Sequence, residues 1–305
     1  MTTLVALVTA RAARGLDEDM PPLTAALAAA GARSEIVDWD DPSVEWARFD
    51  LVVPRSAWDY AERLPEFLAW AERVTRLTAL LNPLAVVRWN TDKHYLGELS
   101  RAGAPVVPTW YLEPGAAAGR TLDEFLAADA CRELVVKPAV GAGARDARRH
   151  ARGERAEILG HVGPLLAAGR SVMLQPYLES VDSYGETALM YLDGRFSHAI
   201  RKGALLPAGA PSTAGLFAPE EIIARTPGAD ELAAAGRILA AAPFERLPYA
   251  RIDLLRDRQG APRLLELELT EPSLFLAHAS GSAERFAAAL LGRLEYVRQH
   301  TQKTQ

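Results

Sequence analysis

Two short runs near the C-terminus carry the residue types with most chemical potential, Arg251-Ile252-Asp253 and Glu266-Leu267-Glu268. Residues two apart on a strand face the same side. If these runs pair as a hairpin around Gln259-Gly260, one guanidinium and three carboxylates share a surface. Oxygen-only ligands suit Mg²⁺, a hard ion that keeps part of its water shell and bridges nucleotide phosphates. The same charges would also suit a solvated face held by ion pairs. The flanking residues, YARIDLL and RLLELEL, are too apolar for an exposed edge, so Asp253, Glu266 and Glu268 are read as metal ligands.

Upstream, Lys93 lies near a helix start, and Lys137 ends the apolar run ELVVKPA just before Gly141-Ala142-Gly143-Ala144. A lysine beside a glycine-rich turn can neutralise a phosphate while backbone N–H groups cradle its oxygens. A strand-end lysine that merely snorkels to the surface has the same signature. Gln175-Pro176-Tyr177-Leu178 follows a buried strand and either borders an adenine ring or forms a plain hinge. Glu186 could accept hydrogen bonds from a ribose or simply be solvated, and Arg201-Lys202 could clamp a transferring phosphate. Arg55 and Ser56 leave a strand where an open α/β sheet presents its ligands, so they are read as receiving a substrate carboxylate or amine; an exposed loop held by Trp58 is the other reading. His94, His198 and His278 have no spacing partner on one face and are read as packing or surface residues.

These side chains need a frame. Strand 3–9, a helical run from Pro21 to Ala30 closed by Gly31, strand 34–37 and strand 50–53 alternate as β-α-β, which predicts a small parallel sheet. Helix 64–79 follows, and Asn82-Pro83 breaks the chain. A second unit is predicted from helix 91–102, strand 105–111, helix 121–129 and strands 133–138 and 171–176. Beyond it, 186–202 reads as a hairpin around Asp193-Gly194, and 248–256 with 262–269 as another. The expected division is 1–83, 84–176 and 177–305, in an α/β (α+β) chain. The Gly/Ala/Pro-rich segment 203–219 has no period and is read as a linker or mobile lid.

Composition limits the partners. The chain has 305 residues, 34 basic and 39 acidic, for a formal charge of −5. Without a sustained basic stripe, nucleic acid is not an expected partner. No run approaches the roughly 18 apolar residues that span a membrane, and Cys131, the only cysteine, leaves no intramolecular disulfide. A cytoplasmic location is expected. The first turn, Thr9 to Gly15, lacks GxGxxG, and neither a Walker A sequence nor HExxH occurs, so dinucleotide, P-loop and zinc-peptidase chemistry fall away.

Lys93, Lys137, the glycine loop, 175–178, Gly185-Glu186-Thr187, Arg251-Ile252-Asp253 and Glu266-Leu267-Glu268, taken in order, resemble the ATP-grasp superfamily in its D-alanine:D-alanine ligase branch. The resemblance implies an ATP-grasp fold with a Rossmann-like N-terminal domain, in which two α+β units hold ATP between them. Carried onto these positions, Lys93, Lys137, Gly141, Ala142 and Gly143 would hold phosphates, and Gln175, Pro176, Tyr177, Leu178 and Glu186 would border the adenosine. Asp253, Glu266 and Glu268 would bind two Mg²⁺ ions, Arg251 would steady an oxyanion on the acyl carbon, and Lys202 would add positive charge. Glu268 stands where the superfamily usually has Asn, and Gln175 where it usually has an acidic residue.

Within the superfamily the chain is similar to the D-cycloserine synthetase family. That similarity runs through Asp19-Met20-Pro21-Pro22-Leu23, Val86-Val87-Arg88-Trp89, Glu179-Ser180-Val181-Asp182, Ser197-His198-Ala199-Ile200 and Glu271-Pro272-Ser273-Leu274. It implies an amino-acid-derived substrate, O-ureido-D-serine, cyclised to D-cycloserine, and a homodimer. An intermolecular amide or peptide ligase, with a second molecule supplying the amine, stays open at this point.

Overall fold

A computed structural model describes residues 2–204, 206 and 221–301. Strands β1 (Leu4–Thr9), β2 (Arg33–Asp38), β3 (Leu51–Ser56) and β4 (Ala79–Leu80) form a parallel sheet in the order β2-β1-β3-β4. Helices α1 (Met20–Ala29) and α2 (Leu64–Thr75) cover its two faces. Strands covered on both sides read as continuous apolar runs, and Val5 to Val8 are fully buried. The helix expected over 64–79 stops at Thr75, because Ala79 and Leu80 pair with Leu51 and Val52 at the sheet edge.

The helix expected over 91–102 is the shorter α4 (Tyr95–Arg101), and a separate helix, α3 (Leu84–Asn90), precedes it. Asp92 accepts the His94 N–H at 3.1 Å, an Asx turn that competes with helical hydrogen bonding. Of the strand expected over 105–111, only β5 (Trp110–Leu112) belongs to a sheet, with one bridge from Val106 to Leu264. Pro105 and Pro108 lack the ladder donor.

The second sheet joins β5 to β6 (Glu133–Pro138), β7 (Arg148–Ala151) and β8 (Val172–Pro176) as antiparallel β5-β8-β6-β7. Helices α5 (Ala118–Ala128) and α6 (Arg155–Ala167) bury Phe125, Ile158 and Val162 against it. The third sheet is antiparallel β11-β10-β9-β12-β13, built from β9 (Glu186–Leu192), β10 (Arg195–Lys202), β11 (Ile222–Arg225), β12 (Tyr249–Arg256) and β13 (Pro262–Glu268). Both expected hairpins are present. Helix α4 packs on this sheet beside α7 (Ala229–Ala241).

The last helix, α8 (Ser282–Thr301), returns to pack on α1. Its Phe286 and Leu290 share one core with Val5, Leu23, Met190 and Ile200, which fastens the first sheet to the third. Among the described residues no helix is long and apolar enough to cross a membrane.

Candidate active site

A cleft of about 420 Å³ collects side chains from both α+β sheets and from the N-terminal unit. Its floor is the β12–β13 hairpin. The register sets Arg251 opposite Glu268 and Asp253 opposite Glu266, so strand alternation turns all four the same way. Arg251 donates to Asp253 at 2.8 and 2.9 Å, to Glu268, and to the Ser273 carbonyl at 3.1 Å.

Two lysines extend this charged wall. Lys202, opposite Glu186 in the β9–β10 pair, places Nζ 2.7 Å from Glu186 and 3.0 Å from Asp253. Lys93 lies 3.0 Å from Glu266 and donates to the Gly141 carbonyl at 2.6 Å, which ties the glycine loop to the floor. Cations and carboxylates thus alternate from Glu268 through Arg251, Asp253 and Lys202 to Glu186, with the Lys93–Glu266 pair beside them. Among the described residues no group of three His, Cys, Asp or Glu side chains is gathered to hold a metal ion unaided, because each carboxylate is turned toward a protein cation.

Burial outweighs Arg251, and with crowding by Glu266 and Asp253 pushes the Glu268 carboxyl up to about 8. Burial also pushes Glu186 and Glu271 up to about 7. It acts on Asp253 too, but Arg251 and Lys202 more than offset it and hold that carboxyl well below its ordinary value. An excess of crowded carboxylate oxygen facing a cleft is a donor set that a hard divalent cation relieves. The residues present therefore fit Mg²⁺ held jointly by carboxylates and phosphate.

The cleft's other wall comes from the second sheet. Lys137 points in from β6, has no ion pair among the described residues, and is pushed down to about 8 by burial, with Lys93 adding repulsion. Gly141, Ala142, Gly143 and Arg145 line the cleft above it, and Arg145 pairs with Glu62 of the N-terminal unit. At the far end lie Gln175, Pro176, Tyr177 and Leu178. The Tyr177 ring is packed under Arg149 at 3.6 Å, and Gln175 donates to Thr109 at 2.9 Å. Val107 and Leu255, which periodicity did not single out, pack with Leu178 to give this end an apolar lining.

Several expectations need correcting. Glu186 lines the cleft, but its carboxylate faces Lys202 rather than standing free for a ribose. Arg201 turns the other way, donating to the Tyr184 carbonyl, since neighbours on a strand alternate. Arg55 and Ser56 do not line the cleft: Arg55 is fully buried on Asp19 and the Pro272 carbonyl, and Ser56 donates to Thr9. They lie within β3, whose two faces are covered, so their side chains enter the core. The N-terminal residues that reach the cleft are Asp17, Glu18 and Asp19, with Leu16, Trp58 and Tyr60. The acidic run before Pro21-Pro22 was the signal for the first three. His94 bonds Asp92 and Glu113, and His198 the Leu274 carbonyl, whereas His278 lines the cleft. Of the expected lid, residue 205 and 207–219 lie outside the described residues.

Gly185 explains how Lys202 is placed. Its φ of +79° precedes β9, and a Cβ there would lie 2.6 Å from the Lys202 carbonyl oxygen. Gly185→Ala is expected to destabilise by about 2 kcal/mol, from the left-handed backbone and the overlap together, and to lower turnover by moving Lys202. An unchanged melting temperature with full turnover would show that the contact relaxes freely.

Comparison with known proteins fits this geometry. Residues 5–82 match the family described as the N-terminal domain of D-cycloserine synthetase DcsG. The chain is 44% identical over 299 residues to cycloserine biosynthesis protein DcsG of Streptomyces lavendulae, covering 96% of this chain and 99% of that one. The crystal structure of D-cycloserine synthetase DcsG superposes with a TM-score of 0.90 at 43% identity, over 95% of this chain and 99% of that one. At fold level, D-alanine–D-alanine ligase from Bacillus anthracis gives 0.71 at 15% identity over 99% of both chains. The ATP-grasp ligase PsnB, in a structure with a precursor variant, Mg and ADP, gives 0.64 at 19% identity over 96% of this chain and 99% of that one. With this full-length identity and the shared fold, the chain belongs to the D-cycloserine synthetase family of ATP-grasp ligases.

Proposed function

We propose that this protein is an ATP-dependent cyclo-ligase that converts O-ureido-D-serine to D-cycloserine in the cytoplasm. The observation that carries this reading is the charged wall formed by the Lys93–Glu266 pair and the Glu268–Arg251–Asp253–Lys202 series in one cleft, in a chain similar end to end to a cycloserine biosynthesis protein. The proposed units are 1–83, 84–176 and 177–305. Each holds one sheet, while α3 and α4 of the second contribute to the core of the third.

A carboxylate is a poor electrophile, and phosphorylation by ATP turns it into an acyl phosphate that a nitrogen can attack. Lys93, Lys137 and the backbone of Gly141–Gly143 would hold the phosphates, and the apolar pocket of Tyr177, Leu178 and Leu255 the adenine. Asp253, Glu266 and Glu268 would hold two Mg²⁺ ions, which spread the charge of the transferring phosphoryl group. Arg251, held by Asp253 and the Ser273 carbonyl, presents fixed positive charge where an oxyanion develops. The ureido nitrogen bonded to oxygen lies in the same molecule as the activated carbonyl, so ring closure gains from proximity. The new carbon–nitrogen bond forms as phosphate leaves the carbonyl carbon, and one water then cleaves the carbamoyl group from the ring nitrogen as carbamate, which gives CO2 and NH3. Shielding by the glycine loop and Tyr60 protects the acyl phosphate from water.

The test is phosphate release from Mg-ATP with O-ureido-D-serine alone, with the product read by mass. ADP, phosphate and a cyclised product in equal amounts are expected. Turnover only when a second amine is supplied would replace this reading with an intermolecular ligase.

Lys137 supplies an independent check on the phosphate site. Held at about 8 by burial, it is mostly neutral at about pH 9, where an unperturbed lysine stays charged. Bound phosphate restores its charge, so Mg-ATP binding is expected to take up close to one proton at about pH 9. At pH 7 Lys137 is already charged, and Mg²⁺ binding at Glu268, held at about 8, releases a proton instead. Calorimetry in buffers of different ionisation enthalpy reads this directly. Uptake that persists in Lys137→Met would remove Lys137 from the phosphate site.

A further inference from the structure

His150 and His161 meet behind the glycine-rich turn, and the mechanism above uses neither. His150 is 3% exposed on β7, and His161 lies on α6 between the core residues Ile158 and Val162. His150 Nε2 and His161 Nδ1 are 3.1 Å apart, and His161 Nε2 is 3.1 Å from the Asp146 carbonyl oxygen. The two rings thus form a chain of contacts from the edge of the second sheet to the end of the loop.

The last acceptor in this chain fixes its protons. A carbonyl oxygen only accepts, so His161 Nε2 carries the hydrogen. In a neutral ring Nδ1 is then an acceptor, and His150 Nε2 donates to it. The arrangement requires an uncharged His161, because an imidazolium would turn an N–H against that of His150. Burial, with His150 and Arg148 adding repulsion, pushes His161 down to about 4. Burial and Arg148 also lower His150, against the pull of Glu154 and Glu157 at the first turn of α6. The Asp146 carboxylate beside His161 is taken up by Arg170 at 2.6 Å. The pair is therefore neutral at pH 7.

What the pair holds is the least comfortable backbone in the loop. Gly143, Ala144 and Asp146 have φ of +63°, +58° and +58°. A residue with a Cβ keeps a left-handed conformation only where its surroundings impose it. Asp146 is gripped twice, at its carbonyl by His161 and at its carboxylate by Arg170. Its neighbours Gly143, Ala144, Arg145 and Ala147 line the cleft. The grip on Asp146 is thus applied from outside the cleft to the backbone whose other residues face into it.

We propose that His161, with its tautomer set by His150, is a positioning residue for the nucleotide phosphates: by holding the Asp146 carbonyl it keeps 141–146 in the shape that receives them. This deepens the ATP-dependent reading and rests on it. Neither histidine lines the cleft, so the effect passes through the loop backbone. It is accordingly confined to ligands that carry phosphates, since the Gln175–Leu178 end is built from other residues.

The test measures binding of a non-hydrolysable ATP analogue with Mg²⁺, and of adenosine, to the full chain by calorimetry, with no carboxylate substrate present. His161→Phe keeps a ring but has no donor for the carbonyl. It is expected to weaken the ATP analogue by about 3- to 10-fold, the range of one neutral hydrogen bond, and to leave adenosine unchanged. His161→Gln, whose amide N–H can reach the same carbonyl, is expected to bind the analogue within about 2-fold of the wild type. Because the pair is uncharged at both values, the ratio of wild type to His161→Phe is expected to be the same at pH 6 and pH 8. Melting temperatures show whether each variant is folded, and His161→Gln carries the test if His161→Phe is not. An equal loss for adenosine and the ATP analogue overturns the assignment, as do full analogue binding by folded His161→Phe and a loss of 3-fold or more in folded His161→Gln. A ratio that collapses at pH 6 overturns it too. A wild type that binds no nucleotide overturns the phosphate-site reading and the positioning role with it, whereas the variant results bear on the histidines alone.

Discussion

Replacing Lys202 with methionine is expected to lower the catalytic rate by about 10²- to 10³-fold and to destabilise the fold by about 3–5 kcal/mol. The rate effect follows from removing fixed positive charge at the floor of the cleft. The stability effect follows from what the lysine leaves behind: its Nζ lies between Glu186 and Asp253, and all three side chains are under 10% exposed. Without it, two buried carboxylates share the field of Arg251. Asp253 keeps its bonds to Arg251, so Glu186 is the group left uncompensated, and it responds by binding a proton.

That response sets the pH dependence. Glu186 is already pushed up to about 7 with Lys202 present, and losing the lysine raises it further. A carboxyl whose folded value lies above its unfolded one binds more protons in the folded state, so stability falls as pH rises across that interval. Lys202→Met is accordingly expected to lose less stability at about pH 5.5 than at pH 8, as read by urea unfolding at both. The double variant Lys202→Met/Glu186→Gln is expected to recover stability at pH 8 without recovering turnover. An equal loss at both pH values would show that packing of the lysine stem, not its charge, is what the fold uses.

The charged wall was legible because a hairpin imposes a period of two and a register. Once Gln259-Gly260 marks the turn, the facing of Arg251, Asp253, Glu266 and Glu268 follows from strand geometry alone. Lys202 is indicated together with Arg201 at the strand end and separated from it only by the resemblance; the β9–β10 hairpin sets it opposite Glu186. The sequence did not reveal that Glu186 is occupied by that lysine, since a strand pattern fixes which side a residue faces and not which charge it meets there. Arg55 and Ser56 failed for a related reason. The rule that ligands gather beyond the ends of parallel strands is sound, but both residues are still inside β3. The true N-terminal contribution depends on Asp19 meeting Leu274 and Leu276, a contact between distant parts of the chain that carries no local signal. Strand β7 was hidden because Arg148-Arg149-His150-Ala151 lies at a sheet edge, where charge replaces the apolar pattern.

Glu268→Gln separates the needs of catalysis from those of folding. Turnover is expected to fall by about 10²- to 10³-fold, with the Mg²⁺ concentration for half-maximal rate rising, because one of three carboxylates facing the phosphates is lost. Stability is expected to stay level or rise. Burial and the neighbouring Glu266 and Asp253 push the Glu268 carboxyl up to about 8 against its contact with Arg251, so its charge is a burden on the ligand-free fold. Arg251 retains Asp253 and the Ser273 carbonyl when that charge is removed. Since the folded value exceeds the unfolded one, the wild type loses stability as pH climbs toward and through 8, and the advantage of the glutamine variant grows over the same span. Glu266→Gln should behave oppositely, because it takes away the ion-pair partner of the buried Lys93 and so loses stability as well as turnover. Melting temperatures at about pH 6 and pH 9, with Mg²⁺ titrations of the rate, read both effects. A Glu268→Gln protein that melts as low as Lys202→Met would make the Arg251 contact a structural brace and take away the support for Glu268 as a metal ligand. A stable but inactive variant would identify the crowded carboxylates as strain that the folded chain retains because Mg-ATP relieves it.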